Sequence, residues 1–332
     1  FLSADIIIIG AGITGLSAAA SLKEKEPLLK VVVLERGVLP TGASTKNAGF
    51  ACFGSPTELL SDLKLMTEEE VNNLVELRLK GLEKLKPLCG ANNIDYQKNG
   101  SFEVFQDIDK EKYKKTVASL SELNKILFPI FKHDCFKEHS NHKELGFKNV
   151  SGVIFNKFEG QIDTGKMIRK LISIAEQNKI EIINGINILN YSCSEKSVTL
   201  ESDNNFKINC AQLFIASNGF AQHLLPEMDI KPARAQVLIT KPIPNLHLKG
   251  TFHMDEGFYY FRNFNNRILL GGGRNLDLKG EETDKIDLSA IIQSKLDQQL
   301  KEDMRPTTKY SHEIKRKGII GVGHRKKTKL IH

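Results

Sequence analysis

Asp5-Ile-Ile-Ile-Ile-Gly-Ala-Gly-Ile-Thr-Gly15 decides how the rest of this 332-residue chain is read. Four consecutive isoleucines suit a strand buried on both faces, because such a strand has no polar side to turn toward water. Gly10, Gly12 and Gly15 follow at GxGxxG spacing, and Leu16-Ser-Ala-Ala-Ala-Ser-Leu22 continues as a helix. Gly10 permits the tight turn, Gly12 lets a pyrophosphate approach the backbone, and Gly15 lets the helix sit close on the strand. The amides that open the helix, around Gly12, Ile13 and Thr14, aim at the phosphates. A second strand, Lys30-Val-Val-Val-Leu34, ends in Glu35, followed by Arg36. An acid at that point is placed to accept hydrogen bonds from a ribose 2′-hydroxyl. Strand, glycine turn, helix, strand and acid within the first 35 residues specify a dinucleotide site.

Composition bounds the class of protein. Apolar residues make up 40 % and charged residues 26 %, which is the balance of a globular chain with a large core and one or two domains. No apolar run reaches the roughly 18 residues of a membrane span. The opening residues already read as a core strand, so no signal peptide and a cytoplasmic location are expected. Cys52, Cys89, Cys135, Cys193 and Cys210 are scattered, with no CxxC pair. This suits a reducing compartment, and neither a disulfide framework nor a metal site is expected. His139 and His142 lack further ligands at metal-binding spacing and read as surface histidines. From Lys309 to His332, eight Lys or Arg stand against the single acid Glu313, so this stretch carries the whole net charge of +7. A basic tail can meet nucleic acid or an acidic surface, although a solvated terminus or the wall of an anion-binding cleft is the simpler reading.

Past Glu35 the chain does not continue to another helix and strand, as a nicotinamide-binding domain would. Residues 36–56 are small and contain Gly37, Gly42, Gly49 and Gly54, a loop able to lie flat on a large planar ligand and offer it backbone amides. Thr67-Glu-Glu-Glu70 opens a helix with Val71, Leu74, Val75, Leu82 and Leu85 on one face, stopped by Pro87. Ile94–Tyr96 and Ser101–Phe105 read as short strands around the hairpin signal Asn99-Gly100. Asp109 caps a helix carrying Tyr113, Val117, Leu120 and Leu127, and Asp163-Thr164 caps another. Strands follow at Ile180–Ile183, Ile186–Tyr191, Ser197–Glu201 and Phe206–Asn209, then Gln212–Ala216, which ends in Ser217-Asn218-Gly219. Phe252–Arg262 and Arg267–Arg274 read as a hairpin over Asn263–Asn266, with Tyr260 and Arg262 on one face and Arg262 opposite Arg267. Asp287 caps a last helix.

Gly10-x-Gly12-x-x-Gly15-x-x-x-Ala19, Glu35 and the loop Gly42-Ala43-Ser44-Thr45-Lys46-Asn47-Ala48-Gly49 together resemble the D-amino-acid oxidase (DAO-type) family of FAD-dependent oxidoreductases. That group includes glycine, sarcosine and D-amino-acid oxidases and dehydrogenases, and the resemblance spans nearly the whole chain. It implies an α/β fold in which an FAD-binding Rossmann-like domain interleaves with an α+β substrate domain on a mainly antiparallel sheet. Residues 1–85, 151–220 and 306–332 are expected in the FAD domain, and 86–150 and 221–305 in the substrate domain. The resemblance also implies FAD as the cofactor, with loop 42–49 beside its pyrophosphate and ring system. Ser217–Gly219 would pack under the dinucleotide, and Lys46 would add a cation near the ring.

The implied activity is oxidation of a C–N bond of a small amine or amino acid by hydride transfer to the flavin. Three alternatives stay open: flavin-dependent oxidation of a 2-hydroxy acid, a nicotinamide-dependent dehydrogenase, and a non-catalytic scaffold. A substrate carboxylate calls for an Arg, often with a Tyr hydroxyl. Tyr260 with Arg262 is the pair that strand geometry suggests, and Arg274 is a second candidate. Two features depart from the family pattern. Gly318-Ile-Ile-Gly-Val-Gly323 lacks the carboxylate-binding Arg of the family's Gly-x-Arg-Pro segment. Residues 1–332 also lack the closing strand, glycine turn and helix whose N-terminus faces the flavin pyrimidine, so the flavin half is expected to be held less closely than the adenosine half.

Overall fold

β1 (Leu2–Ile9) is the isoleucine strand, and in the computed structural model, which describes residues 2–302 and 312–323, it lies between two parallel neighbours. Flanked on both edges and covered on both faces, Ile7 and Ile8 are fully buried, which is why a run of isoleucines suits this position. α1 (Ile13–Lys25) returns the chain to β2 (Val31–Glu35), a strand buried from Val31 to Leu34. The expected small-residue loop contains a single helical turn, α2 (Ala43–Lys46), and a two-residue strand, β3 (Phe50–Ala51).

The next segment departs most from the sequence expectations. α3 (Pro56–Leu63) precedes α4 (Glu68–Cys89), whose capping box between Thr67 and Glu70 forms as read. Pro87 does not stop α4. Its missing N–H forfeits one bond in the final turn, and the helix runs on to Gly90, which ends it with φ +76°. Ile94–Tyr96 is a turn, not a strand, and no hairpin forms at Asn99-Gly100. β4 (Ser101–Gln106) takes its partners from far along the chain and is buried on both faces. The single helix expected after Asp109 is two, α5 (Lys110–Ala118) and α6 (Leu120–Phe131), and Asp109 makes no capping bond. β5 (Phe136–Glu138), β6 (Val150–Asn156) and β7 (Gly160–Gln161) follow.

α7 (Thr164–Gln177) starts on Asp163, whose carboxylate accepts the Lys166 amide, and leads into β8 (Glu181–Asn184). β9 (Ile188–Cys193) and β10 (Val198–Ser202) match expectation, whereas Phe206–Asn209 and Gln212–Ala216 merge into one strand, β11 (Lys207–Ile215). β12 (Lys231–Thr240) is continuous. The long strand expected from Phe252 to Arg262 is broken into β13 (Thr251–Met254) and β14 (Tyr259–Asn263), because Asp255, Glu256 and Gly257 all take positive φ and turn the chain. β15 (Ile268–Gly272) pairs Arg262 with Leu269, not with Arg267, so the two like charges do not face each other. α8 (Ala290–Glu302) lacks the expected Asp287 cap, since that carboxylate pairs with Arg234. In place of a solvated basic tail, His312–Val322 forms β16 along β12; residues 303–311 and 324–332, with the rest of the tail, lie outside the described residues.

Among the described residues the strands form a six-stranded sheet, β8-β2-β1-β11-β10-β9, an eight-stranded sheet, β16-β12-β15-β14-β13-β4-β6-β5, and the pair β3-β7. The first sheet is parallel from β8 to β11, and the second is antiparallel apart from β13 beside β4. Residues 151–156 and 312–322, expected with the first unit, therefore pair in the second sheet. Among the described residues no helix is long and apolar enough to cross a membrane.

The second sheet has two unlike faces. One is apolar: Phe102, Phe252 and Phe261 stack in a row 4.9 and 4.7 Å apart, and α8 covers it with Ile292, Leu296 and Leu300. The other carries Thr251, His253, Tyr260 and Arg262, the alternate residues of β13 and β14.

Two buried acids tie neighbouring segments to the second sheet. Glu281 receives Nε and Nη2 of Arg234 at 3.0 and 2.6 Å and Nε2 of Gln236 at 2.9 Å, tying the segment before α8 to β12. Glu103 on β4 takes both hydroxyls of Ser55 and Thr57 and the Thr57 amide at the start of α3. Burial outweighs these donors and pushes the Glu103 carboxyl up to about 7.

Glu281→Ala leaves Arg234 charged and buried without its main partner, and should lower the unfolding free energy by about 3–5 kcal/mol in urea titration. Glu103 holds its proton more tightly in the fold, at about 7 against 4.5 in the open chain. Its contribution is complete below about pH 4.5 and is lost as pH rises through 7, a change of about 3 kcal/mol. Urea midpoints should therefore fall across that window, and Glu103→Gln should remove that part of the slope.

Candidate functional site

The glycine turn is built by close approach. Gly10 has φ +106°, and a Cβ there would stand 2.7 Å from the Ala216 carbonyl at the end of β11. A Cβ on Gly15 would collide with the Gly10 carbonyl oxygen, so only glycine lets α1 rest this close to β1. Gly12 is the N-cap of α1 and makes no side-chain cap, which leaves first-turn amides such as that of Thr14 without partners inside the helix. The Ile13 amide donates to Ser44 Oγ at 2.9 Å, so the serine of loop 42–49 marks the place of an acceptor at this helix end. Glu35 braces the turn by accepting the Ala11 amide on Oε2 and the Gly37 amide on Oε1, each at 3.0 Å. Each carboxylate oxygen keeps a second lone pair for a ribose hydroxyl.

Loop 42–49 spans the gap between the two sheets. Thr45 Oγ1 donates to the Gly42 carbonyl, and Asn47 donates to Ala43 and Ser44 and accepts the Gly49 amide at 2.8 Å. Ala48 packs with Val237, Ile239 and Leu269 of the second sheet, and the Lys46 side chain lies against Gly318 of β16. Ser217–Gly219 follows β11 and also meets β16. Asn218 Oδ1 accepts the Gly321 amide at 3.1 Å, and Arg36 lies 3.8 Å above the Phe220 ring. Ser217 Oγ is buried with no hydrogen-bond partner among the described residues. Two glycines whose Cβ would strike backbone, helix amides without partners inside the helix and an acid at the end of β2 fit the adenosine diphosphate part of FAD.

Tyr260 and Arg262 do share a face, yet they are not equally available. Tyr260 lies over Gly271, is partly buried, and has its phenol raised to about 12 by desolvation. Arg262 is 4 % exposed. Its Nη2 donates to the Ile162 carbonyl at 3.0 Å beside Gly49, and burial lowers its guanidinium to about 10. Arg274 lies just past the end of β15 remote from Arg262, after Gly272 and Gly273 with φ +125° and +80°, so the fold does not bring the two arginines together. Phe50 in β3 was missed by sequence reading and meets His253 and Tyr260 edge-on at 5.0 and 5.8 Å. The fold also gathers Cys52, Glu159 and His253, with one ligand-type atom from each within 4.8 Å of the others. No spacing signal could reveal that group, because each residue comes from a different, distant segment. His139, read as a surface histidine, packs its ring on Phe102 at 5.4 Å.

Comparison with known proteins follows the same geometry. The chain is 25 % identical to the bifunctional protein ThiO/ThiG of Trichormus variabilis over 277 residues, covering 81 % of this chain and 39 % of that protein. It is 36 % identical to the probable oxidoreductase OrdL of Haemophilus influenzae over 44 % of this chain and 29 % of the other. The chain thus spans about two-fifths or less of the length of these curated relatives. Among solved structures, iminodiacetate oxidase from Chelativorans sp. BNC1 is similar with a TM-score of 0.76 at 17 % identity, over 96 % of this chain and 84 % of that one. Glycine oxidase from Geobacillus kaustophilus is similar with a TM-score of 0.73 at 14 % identity, over 98 % and 84 %. At such identities these likenesses establish the fold. The DAO family model, described as FAD dependent oxidoreductase, matches residues 5–312, and the chain belongs to that family.

Proposed function

We propose that this chain binds FAD and oxidises the C–N bond of a small amine or amino acid. The observation that carries the reading is the Gly12 cradle joined to loop 42–49. A molecule held by its diphosphate at the first sheet is led by that loop to the polar face of the second, where Tyr260 and Phe50 stand. FAD supplies the acceptor for the hydride. In this reading the amides around Gly12, Ile13 and Thr14 hold the diphosphate and Glu35 the ribose, with Arg36 beside it. Gly42–Gly49 and the Ser217–Gly219 turn form the walls, and Lys46 adds positive charge along one of them.

Tyr260 stays protonated at neutral pH, so it serves as a hydrogen-bond donor that orients the substrate and not as a base. Arg262 is assigned to holding Gly49 and Ile162, since its guanidinium is already engaged there. Arg274, partly exposed, is the candidate for a substrate carboxylate. The two sheets divide the work in this assignment: the first unit holds the cofactor, and the second, including 151–156 and 312–322, faces the substrate. Support for an amine comes from the similar structures, which are named as oxidases of glycine and iminodiacetate.

Denatured protein should release FAD, one per chain; a chain that takes up none when FAD is added overturns the assignment and leaves the scaffold alternative. Gly12→Ala fills the cradle 2.9 Å from Ser44 Oγ and should weaken FAD retention at least about tenfold with the far-ultraviolet circular dichroism unchanged. In turnover with an artificial electron acceptor, small amines and amino acids should be consumed and 2-hydroxy acids should not. Tyr260→Phe should raise KM for the best amine roughly 10- to 100-fold, the value of a hydrogen bond to a charged group.

A further inference from the structure

We propose that Cys52, Glu159 and His253 form a binding site for one zinc ion, which fastens the loop after β3 to the second sheet. The site does not depend on the flavin assignment. Its ligands come from three separate segments: the end of β3, the turn before β7 and the middle of β13.

Their ligand-type atoms lie within 4.8 Å of one another. A tetrahedral zinc site with bonds of about 2.0–2.3 Å sets its ligands about 3.5 Å apart, a distance that small side-chain rotations close. Two of the three are buried and incompletely bonded. Glu159 is fully buried, and its Oε1 is locked by the amides of Phe53 at 2.7 Å and Gly54 at 3.1 Å. That leaves Oε2 without a hydrogen-bond partner among the described residues. His253 is 5 % exposed, and its Nε2 is likewise buried and unpartnered. An unmet carboxylate oxygen and an unmet imidazole nitrogen on two buried residues of one cluster need an explanation, since buried polar atoms are normally bonded.

Charge and chemistry point to the same occupant. Thiolate and carboxylate together neutralise a dication, and imidazole adds no charge, so the filled site is neutral in a place where a net charge is costly. A sulfur, nitrogen and oxygen set selects zinc over magnesium or calcium, which take oxygen ligands. The surroundings supply support for the ligands. The Phe50 ring holds the His253 ring edge-on at 5.0 Å. Cys52 also lines a cavity of about 480 Å³ bounded by α1 and α4.

The test uses the full chain without a metal-affinity tag, stripped with chelator and titrated with cobalt(II). A thiolate-to-cobalt charge-transfer band should appear, saturate at one equivalent and be displaced by zinc. Cys52→Ser should abolish the band, whereas Cys193→Ser, at an exposed cysteine, should leave it unchanged. Absence of the band, or its survival in Cys52→Ser, overturns the proposal. X-ray absorption on the zinc-loaded wild-type chain needs no variant. One sulfur at about 2.3 Å with nitrogen or oxygen at about 2.0–2.2 Å is the expected shell, and a shell without sulfur overturns the site. Zinc should also raise the melting temperature saturably in the wild type, and the increase should disappear in Glu159→Gln.

Discussion

Between Gly15 on α1 and the Gly10 carbonyl at the end of β1 there is no space for a single additional carbon. That contact sets the distance of the first helix from the first sheet, and with it the direction of the helix amides. Glu35, Ser44 and the Ala216 carbonyl all gather around the turn it creates. The α1 N-terminus faces outward because the glycines let the backbone double back so tightly, and the first sheet is arranged so that β2, β1 and β11 end at that one edge.

The second sheet answers with chemistry of two kinds. One face is closed by stacked phenylalanines and α8, which bury apolar residues of β4, β6 and β12–β15. The opposite face is mixed, with Val237, Ile239 and Leu269 packed on Ala48 and polar residues on β13 and β14. Thr251, His253 and Arg262 are buried there, and several of their atoms lack partners among the described residues. Loop 42–54 crosses from one sheet to the other, and Gly49 is pressed between the Ile162 carbonyl and the Arg262 guanidinium. A loop clamped in this way places Phe50 and Cys52 against β13 and β14, so the polar face and the glycine turn belong to one continuous surface.

Arg262 illustrates how a residue can be found for one reason and serve another. Alternation along β14 placed it beside Tyr260, which is what the ladder shows. Its partner, however, is a main-chain carbonyl one hundred residues away, and no strand pattern contains that fact. Pro87 and Asp287 teach the same lesson for helices. Their local preferences for ending and starting a helix were outweighed, in one case by a turn that continued to Gly90 and in the other by the charge of Arg234.

By itself the sequence determined the glycine turn, the buried parallel strands, the acid at the end of β2 and the loop of small residues. These rest on interactions within a few residues of one another, on backbone conformation and on hydrophobic periodicity, all of which a linear pattern records. Only the tertiary structure decided that Ser101–Gln106 is a central strand, that His312–Val322 joins the second sheet, and that Cys52, Glu159 and His253 meet. Each of those depends on which distant segment lies alongside, and that choice is made by packing whole faces against each other, a property no short stretch of chain possesses.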